Sequence, residues 1–151
     1  MNRRCTQTKL TQGFKDSRVL GFKWKNLGKE GMLKNFKELK VWQKAYQLCL
    51  DIYRVSKKFP NEEKFGLTSQ IRRAAVSIPS NTSEGYGRRT TPDYIRSLYI
   101  AYGSNCELET QTLLSGDLAY IDSEKQNVFL EKISEVERML KALIKSLESK
   151  K

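Results

Sequence analysis

Apolar residues recur every three or four positions along most of the chain beyond residue 38, and this spacing predicts α-helices. Four such segments follow one another, and no segment of useful length alternates polar and apolar residues as a strand does. The predicted helices cover about residues 39–58, 62–85, 92–115 and 123–148. The pattern therefore predicts an all-α fold built from four helices.

The connections between these helices are short, which favours an antiparallel up-down-up-down four-helix bundle. The last helix carries a heptad seam that is typical of bundle packing and comprises Phe129, Ile133, Val136, Leu140, Leu143 and Leu147. The apolar faces of the first and third helices are broader than one bundle core requires. We therefore expect a homo-oligomer, with subunit contacts among Tyr46, Tyr53, Tyr94, Tyr99 and Tyr102.

The second helix contains its own proline and ends in glycines. Its apolar face consists of Ile71, Ala74, Ala75 and Ile78. Pro79 has no backbone N–H and its ring crowds the carbonyl of Ala75, which predicts a bend between these residues. The freed backbone groups have short polar side chains nearby, from Ser77, Ser80 and Asn81. Gly85 and Gly87 predict the C-terminal end of the helix.

The third helix has a clear start signal and an unusual centre. Thr91 is the predicted N-cap, because Pro92 follows at the first helical position and Asp93 comes next. Gly103 and Ser104 lie in the middle of the helix, where a glycine costs about 1 kcal/mol of helix propensity. We expect a neighbouring helix backbone to approach closely at that point.

Residues 1–34 lack helical periodicity, and their glycines and aromatic residues are scattered among lysines. This composition predicts a flexible basic arm, set apart from a bundle domain at residues 35–151. Two alternatives are an arm that contacts RNA and an upstream extension of a chain whose translation begins at Met32. The net charge is +11, but residues 1–37 hold ten Lys or Arg against two Asp or Glu. The body is only mildly basic, so charge alone does not identify a nucleic-acid-binding protein.

The rest of the composition indicates which cellular compartment to expect and which chemistry to exclude. The chain lacks an apolar run of about 18 residues and an apolar signal core, so we expect a cytoplasmic protein without a membrane contact. The three cysteines are widely spaced, and Cys49 and Cys106 are predicted to be buried reduced thiols rather than disulfide partners. With no histidine and no paired-cysteine motif, we expect no metal and no cofactor.

An enzyme is not expected either. The absence of histidine removes the commonest general base, and the serines and cysteines have no evident activating group. Glu107 and Glu109 are two positions apart and point to different faces of the third helix. We expect one of them to accept bonds from Arg72 or Arg73 in a structural ion pair.

A binding role has more support, because basic residues gather around the second helix and the start of the third. The candidates are Arg72, Arg73, Arg88, Arg89 and Arg96, with Lys57 and Lys58 behind them. With Tyr86 and Tyr94 nearby, they are suited to holding phosphates and stacking bases. The alternative is a solvated face with ion pairs to Glu84, Asp93 and Glu107, in which Arg72 and Arg73 are structural. Removing the charges of Arg88 and Arg89 is predicted to weaken binding and flatten its salt dependence.

Several long segments carry a family resemblance. They are FKELKVWQKA at 36–45, FGLTSQIRRAAVSIPSN at 65–81, Glu84-Gly85, Gly87-Arg88, Ala101, Gly103-Ser104 and Glu107-Leu108-Glu109-Thr110. Through them, residues 34–147 resemble the four-helix bundle proteins encoded in intervening sequences of 23S ribosomal RNA genes. The chain departs from that family at Thr82-Ser83, where the family usually has Ile-Ala, and at Asn105-Cys106. Thr82 and Ser83 make this part of the second helix more polar.

The resemblance implies a left-handed antiparallel four-helix bundle that is often assembled as a pentamer. The chain is also similar to the accessory variability protein of diversity-generating retroelements, a relative whose basic surface binds nucleic acid and a reverse transcriptase. Our first hypothesis is therefore a non-enzymatic oligomeric bundle that binds RNA or an RNA–protein complex through basic surface residues. The alternative is a protein–protein adaptor or scaffold without nucleic-acid contact. A third hypothesis is a passenger of a selfish element.

Overall fold

A computed structural model describes residues 33–149 of the chain. Its four α-helices are α1 (Lys40–Ser56), α2 (Leu67–Tyr86), α3 (Thr91–Asp117) and α4 (Ser123–Glu148). Short 3-10 turns at Phe36–Glu38 and Asn61–Phe65 precede α1 and α2. The described residues contain no strand, which confirms the all-α prediction for this part of the chain. The predictions of a flexible N-terminal arm and of a start at Met32 lie outside the described residues.

The four helices close a ring around one apolar core: α1 packs on α2, α2 on α3, α3 on α4, and α4 on α1. The largest buried apolar side chains come from all four helices and include Leu48, Ile52, Ile71, Ile78, Leu98, Leu108, Ile133 and Leu140. Each such side chain stabilises the fold by about 1.5–3 kcal/mol relative to an exposed position. The heptad seam of α4 faces this core, as the spacing predicts, with only Leu147 half-buried.

Polar contacts show how α3 and α4 lie against each other. The hydroxyl of Tyr102 donates to Glu137 at 3.5 Å, and the side-chain amide of Gln126 donates to the carbonyl oxygen of Leu113 at 3.2 Å. A residue later in α3 therefore meets a residue earlier in α4. The two helices run in opposite directions along this contact, joined by the short segment between Asp117 and Ser123.

The start of α2 differs from the prediction near residue 62. Asn61–Phe65 is a 3-10 turn, and Gly66, with φ −98° and ψ −121°, separates it from the α-helix that begins at Leu67. The Glu63 carboxylate spans this break, because it accepts a bond from the backbone N–H of Leu67 at 2.7 Å and another from the hydroxyl of Tyr120 at 3.2 Å. The turn is therefore tied to α2 on one side and to the α3–α4 connection on the other.

Pro79 lies inside α2, which continues through it to Tyr86, and both Pro79 and Ala75 are buried. The side-chain amide of Asn81 donates to the backbone oxygen of Ser77 at 2.8 Å and to its hydroxyl at 2.9 Å. These bonds do not reach the Ala75 carbonyl, which is the group that Pro79 leaves without its usual donor. The predicted compensation by nearby polar side chains is therefore wrong in this detail.

The two polar departures from the family pattern are accommodated inside the core. Thr82 and Asn105 are both fully buried. The hydroxyl of Thr82 donates to the backbone oxygen of Ile78 at 2.8 Å, and the side-chain amide of Asn105 donates to the backbone oxygen of Ile133 at 3.2 Å. Bonds to helix carbonyls therefore offset part of the cost of burying these polar groups.

The glycines act at different places from those predicted. A Cβ built on Gly103 would meet no atom of another helix within 4 Å, so the predicted close approach is wrong at Gly103 within the single chain. At the next residue α2 does come close, because Ser104 is buried and its hydroxyl donates to the hydroxyl of Ser77 at 2.8 Å. Close approach at a glycine is found instead at Gly85, which is buried inside α2 against α3. Only Gly87 stands at the end of α2, as its C-cap.

Two further predictions for α3 need correction. The N-cap is Thr90, one residue before the predicted Thr91, and its hydroxyl accepts a bond from the backbone N–H of Asp93. Cys106 is exposed rather than buried, because buried Asn105 faces α4 and the next residue is turned about 100° around the helix. Cys49 is half-buried, and desolvation raises the pKa of its thiol.

Candidate nucleic-acid interface

Two of the candidate arginines, Arg72 and Arg73, line a groove along the exposed side of α2. Its volume is about 800 Å³, and it extends to the end of α1, the turn before α2, and the middle of α3. We call it the α2 groove. Its lining residues are Tyr53, Lys64, Phe65, Thr68, Ser69, Gln70, Arg72, Arg73, Ala74, Val76, Ser77, Ser80, Asn81, Ser104 and Glu107.

Arg72 is positioned by the last turn of α1. Its Nε donates to the hydroxyl oxygen of buried Ser56 at 2.8 Å, and its guanidinium lies 5.1 Å from the centroid of the Tyr53 ring. Among the described residues, no carboxylate forms an ion pair with this guanidinium. Arg72 therefore has a structural role, as the alternative interpretation of the sequence proposed. Its charge nevertheless stays uncompensated at the groove surface.

Arg73 is the more accessible of the two, since it is exposed and forms no ion pair within residues 33–149. Together with Lys64 and Arg72 it gives the α2 groove three cationic side chains against one carboxylate, that of Glu107. The rest of the polar lining is neutral and consists of hydroxyl and amide side chains. This combination is typical of surfaces that bind phosphate oxygens, which accept bonds from both kinds of group.

The predicted pairing of Glu107 or Glu109 with an arginine of α2 is wrong. Both glutamates are exposed, and neither forms an ion pair with Arg72 or Arg73. The physical reason is that Arg72 turns toward α1, where Ser56 satisfies its Nε.

The other candidate arginines form a separate cluster. Arg88 and Arg89 follow the C-terminal end of α2, and Arg96 lies near the start of α3. Since α2 has 20 residues and a length of about 30 Å, this cluster is distant from the arginines near the helix start. Arg88 pairs with Glu84 one turn earlier, as the solvated-face alternative expects, whereas Arg89 and Arg96 are exposed and form no ion pair with a described residue.

Lys57 and Lys58 are exposed at the end of α1. Lys58 lines a second groove of about 540 Å³, the α1–α4 groove, which is lined by Asp51, Arg54, Val55, Lys58, Tyr120, Ile121, Asp122, Glu124, Lys125, Val128, Phe129 and Lys132. Its other cations are paired within the protein: Arg54 and Lys132 contact Asp51, and Lys125 contacts Asp122. The hydrogen bond from Lys125 lowers the pKa of Asp122, which keeps that carboxylate ionised. The α1–α4 groove therefore has less charge to offer a phosphate than the α2 groove.

One residue of the α2 groove, Phe65, is not among the candidates that the sequence suggests. Phe65 is 87% exposed at the end of the 3-10 turn, and the Nζ of Lys64 lies 5.4 Å from the centroid of its ring. In the sequence it reads as one more apolar position of a helix that starts near residue 62. Gly66 is the signal that separates it, because a glycine directly after it favours a break there.

The described residues have further properties that bear on function. None of the helices in residues 33–149 is long and apolar enough to cross a membrane. Within the same residues, no three His, Cys, Asp or Glu side chains lie together in a way that would hold a metal ion.

The fold and the groove define the class: a small helical protein of four packed helices with an arginine-lined groove on its surface. The chain belongs to the family of 23S rRNA-intervening sequence proteins, whose family model matches residues 37–142. Its structure is similar to the crystal structure of a protein of unknown function from the S23 ribosomal protein family of Bacteroides thetaiotaomicron, with a TM-score of 0.66. The two chains are 25% identical, and the match covers 70% of this chain and 98% of that one. No curated protein matches the chain.

Proposed function

We propose that this protein is a non-enzymatic, homo-oligomeric bundle of up-down-up-down topology that binds RNA through the α2 groove, without a cofactor. The observation that carries the proposal is the state of Arg72 and Arg73. Both lie in one groove, and neither is neutralised by a described carboxylate. Each can therefore release a condensed counterion from an RNA phosphate, which is the main source of affinity in such complexes. The family's connection with 23S rRNA makes RNA the first polyanion to test.

Arg73→Gln is the sharpest single test of the groove. Arg72 is less suitable, because its replacement also removes the contacts to Ser56 and Tyr53. With a single-stranded RNA of about 16 nucleotides, the loss of one phosphate contact should weaken binding and reduce the slope of log K against log salt by about 0.7. The matched control is Arg138→Gln, at an exposed position of α4 outside the groove lining.

Three results would count against the proposal. If Arg73→Gln leaves RNA binding unchanged while the double variant Arg88→Gln/Arg89→Gln loses it, the binding site lies at the second cluster and not in the α2 groove. Equal losses at Arg73 and Arg138 would indicate attraction to net charge without a defined site. No salt-dependent RNA binding by the full chain would reject the function itself. A chain that begins at Met32 measures the share contributed by the basic N-terminal segment.

Self-association is proposed through the outer face of α3. Ile100 is 50% exposed and Leu114 is 46% exposed, and both share a helical face with Gly103, beside which there is open space. A second copy has room to approach closely there, and a pentamer is the assembly that the family resemblance implies. Ile100→Asp should lower the mass measured by light scattering in solution, whereas Val128→Asp on α4 should not. Neighbouring copies would add their grooves into one larger binding surface.

The adaptor hypothesis remains the second candidate, because the same α3 face is suited to a different protein partner. Purification from a lysate with and without nuclease treatment separates the two functions. A partner that stays bound after nuclease treatment, and is lost on Ile100→Asp, favours the adaptor. A partner that is lost after nuclease treatment favours RNA binding.

A further inference from the structure

We propose that Phe65 is a base-stacking residue, so that the α2 groove prefers RNA with unpaired bases over duplex RNA. This inference rests on the proposed function, and it specifies which class of RNA the groove binds. Phe65 is the most exposed large apolar residue among those described, at 87%. The ring lines a cationic groove, where a ligand that stacks on it would remove its apolar face from water.

The turn that carries Phe65 is held in place through Glu63. Glu63 bonds to the backbone N–H of Leu67 and to the hydroxyl of Tyr120, at 2.7 Å and 3.2 Å. The backbone N–H of Gly66 also donates to the carbonyl oxygen of Glu63 at 3.0 Å. Phe65 is therefore presented outward by an ordered turn, and little conformational freedom of the backbone is lost when a ligand binds.

The surroundings of the ring match a nucleotide better than an apolar protein segment. The Lys64 ammonium lies over one face of the Phe65 ring, 5.4 Å from its centroid, so a base that stacks on the other face would have a cation close by. The lining beyond it includes both arginines, which are placed for the phosphates of the same strand. A nucleotide offers an aromatic face and a negative charge together, and this surface is complementary to both.

The geometry also predicts the preference for unpaired bases. In a duplex, the base faces are covered by their neighbours and only the ends are open, so a lone aromatic ring gains little. In a single strand, every base offers a face to Phe65. Stacking does not read the base identity, so the preference concerns RNA structure more than sequence.

The test compares the full chain and its Phe65→Ala variant, each with a single-stranded RNA and with a duplex of the same length. Binding to the single strand should weaken about tenfold, which lies within the usual loss for one base–aromatic stack. Binding to the duplex should stay unchanged. The salt slope should also stay unchanged, because no charge is removed. Phe65→Trp should retain the affinity, and its added fluorescence should be quenched by the single strand. Val128→Ala, at an exposed apolar residue outside the α2 groove, is the control.

The outcomes separate this inference from the function on which it rests. If the wild-type chain binds neither RNA, the proposed function fails and the inference fails with it. If the chain binds RNA and Phe65→Ala leaves the affinity unchanged, or lowers the affinity for the single strand and the duplex equally, only the inference is overturned. If Phe65→Ala lowers the mass in solution and leaves RNA binding intact, Phe65 is a contact between copies, which also overturns it.

Discussion

Gly85 of α2 lies directly against Tyr94 of α3. A Cβ built on Gly85 would lie 2.7 Å from the Cδ2 of the Tyr94 ring and 3.0 Å from the Cβ of Ser97. The ring cannot turn away freely, because it is half-buried and meets Tyr86 edge-on, with the ring centroids 6.5 Å apart. The absence of a side chain at residue 85 therefore sets how closely the end of α2 approaches α3.

This contact predicts opposite effects of one substitution at two helical glycines. Gly85→Ala should destabilise the protein by about 1–3 kcal/mol, because overpacking outweighs the gain in helix propensity. Gly103→Ala has the same gain and open space around it, so it should stabilise the single chain by about 0.5–1 kcal/mol. Urea unfolding measures the difference, with both variants made in the Ile100→Asp background so that the proposed contact between copies at Gly103 does not contribute. Stabilisation by Gly85→Ala would show that the two helices can separate at little cost.

The N-cap of α3 gives a second matched pair. The hydroxyl of Thr90 accepts a bond from the backbone N–H of Asp93 at 3.2 Å and donates to the Asp93 carboxylate at 2.6 Å. Thr90→Ala should therefore cost about 1 kcal/mol of stability, the usual value for a lost cap. Thr91→Ala, one residue later, should change stability little, because Thr91 is already helical. If Thr91→Ala loses more stability than Thr90→Ala, the N-cap is Thr91, as the sequence predicts.

These positions show which parts of the fold a sequence can predict. The core faces follow from spacing alone, because the seam from Phe129 to Leu143 has one helical solution and it is buried. The N-cap of α3 does not follow from spacing, because Thr90 and Thr91 are both good N-cap residues. Pro92 is tolerated at either the first or the second helical position, so it does not decide between them. The roles of Gly85 and Gly103 depend on which helix lies opposite, and no local pattern contains that information.

The sequence identifies only some of the residues that line the α2 groove, because it does not show which residues of different helices lie together. Both Arg72 and Arg73 lie outside the apolar stripe of α2, with Arg73 exposed and Arg72 half-buried against the end of α1. Their grouping with Arg88 and Arg89 is not supported, because the two pairs lie near opposite ends of a helix about 30 Å long. Phe65 was missed because an exposed aromatic residue and a core aromatic residue look the same in a sequence until the end of the helix is known.

The C-terminal end of α3 provides a third prediction. Ala119 has φ 58°, in the left-handed region where glycine is favoured. The backbone N–H of Tyr120 donates to the carbonyl oxygen of Ser115 at 2.8 Å, and that of Ala119 donates to Gly116 at 2.9 Å, which is the Schellman pattern. Ala119→Gly should therefore stabilise the protein by about 1 kcal/mol. The control is Ala142→Gly at an exposed position inside α4, which should cost about 1 kcal/mol. Thermal or urea unfolding that shows losses of equal size in both variants would contradict the prediction.

The fourth prediction concerns stability at alkaline pH. Burial, with a smaller contribution from Tyr86, raises the pKa of Tyr94 from 10.0 to about 12. The folded state therefore favours the neutral phenol. This contribution to stability is complete below about pH 10, where Tyr94 is protonated in both states, and is lost as the pH rises through about 12. Tyr94→Phe removes the titrating group, so the free energy of unfolding should fall less steeply above pH 10 in the variant than in the wild type.

Salt distinguishes this effect from a surface charge effect. The pKa of Tyr99 is also raised, but its main cause is the nearby carboxylate of Glu148, to which its exposed hydroxyl donates at 3.2 Å. Salt screens an exposed charge and leaves the desolvation of a buried group nearly unchanged. In urea unfolding across alkaline pH, the difference between wild type and Tyr99→Phe should shrink at high salt, whereas the difference for Tyr94→Phe should persist. If the Tyr94→Phe difference shrinks equally, its pKa is set by neighbouring charge, and the packing of Tyr94 against Gly85 is looser than the structure shows.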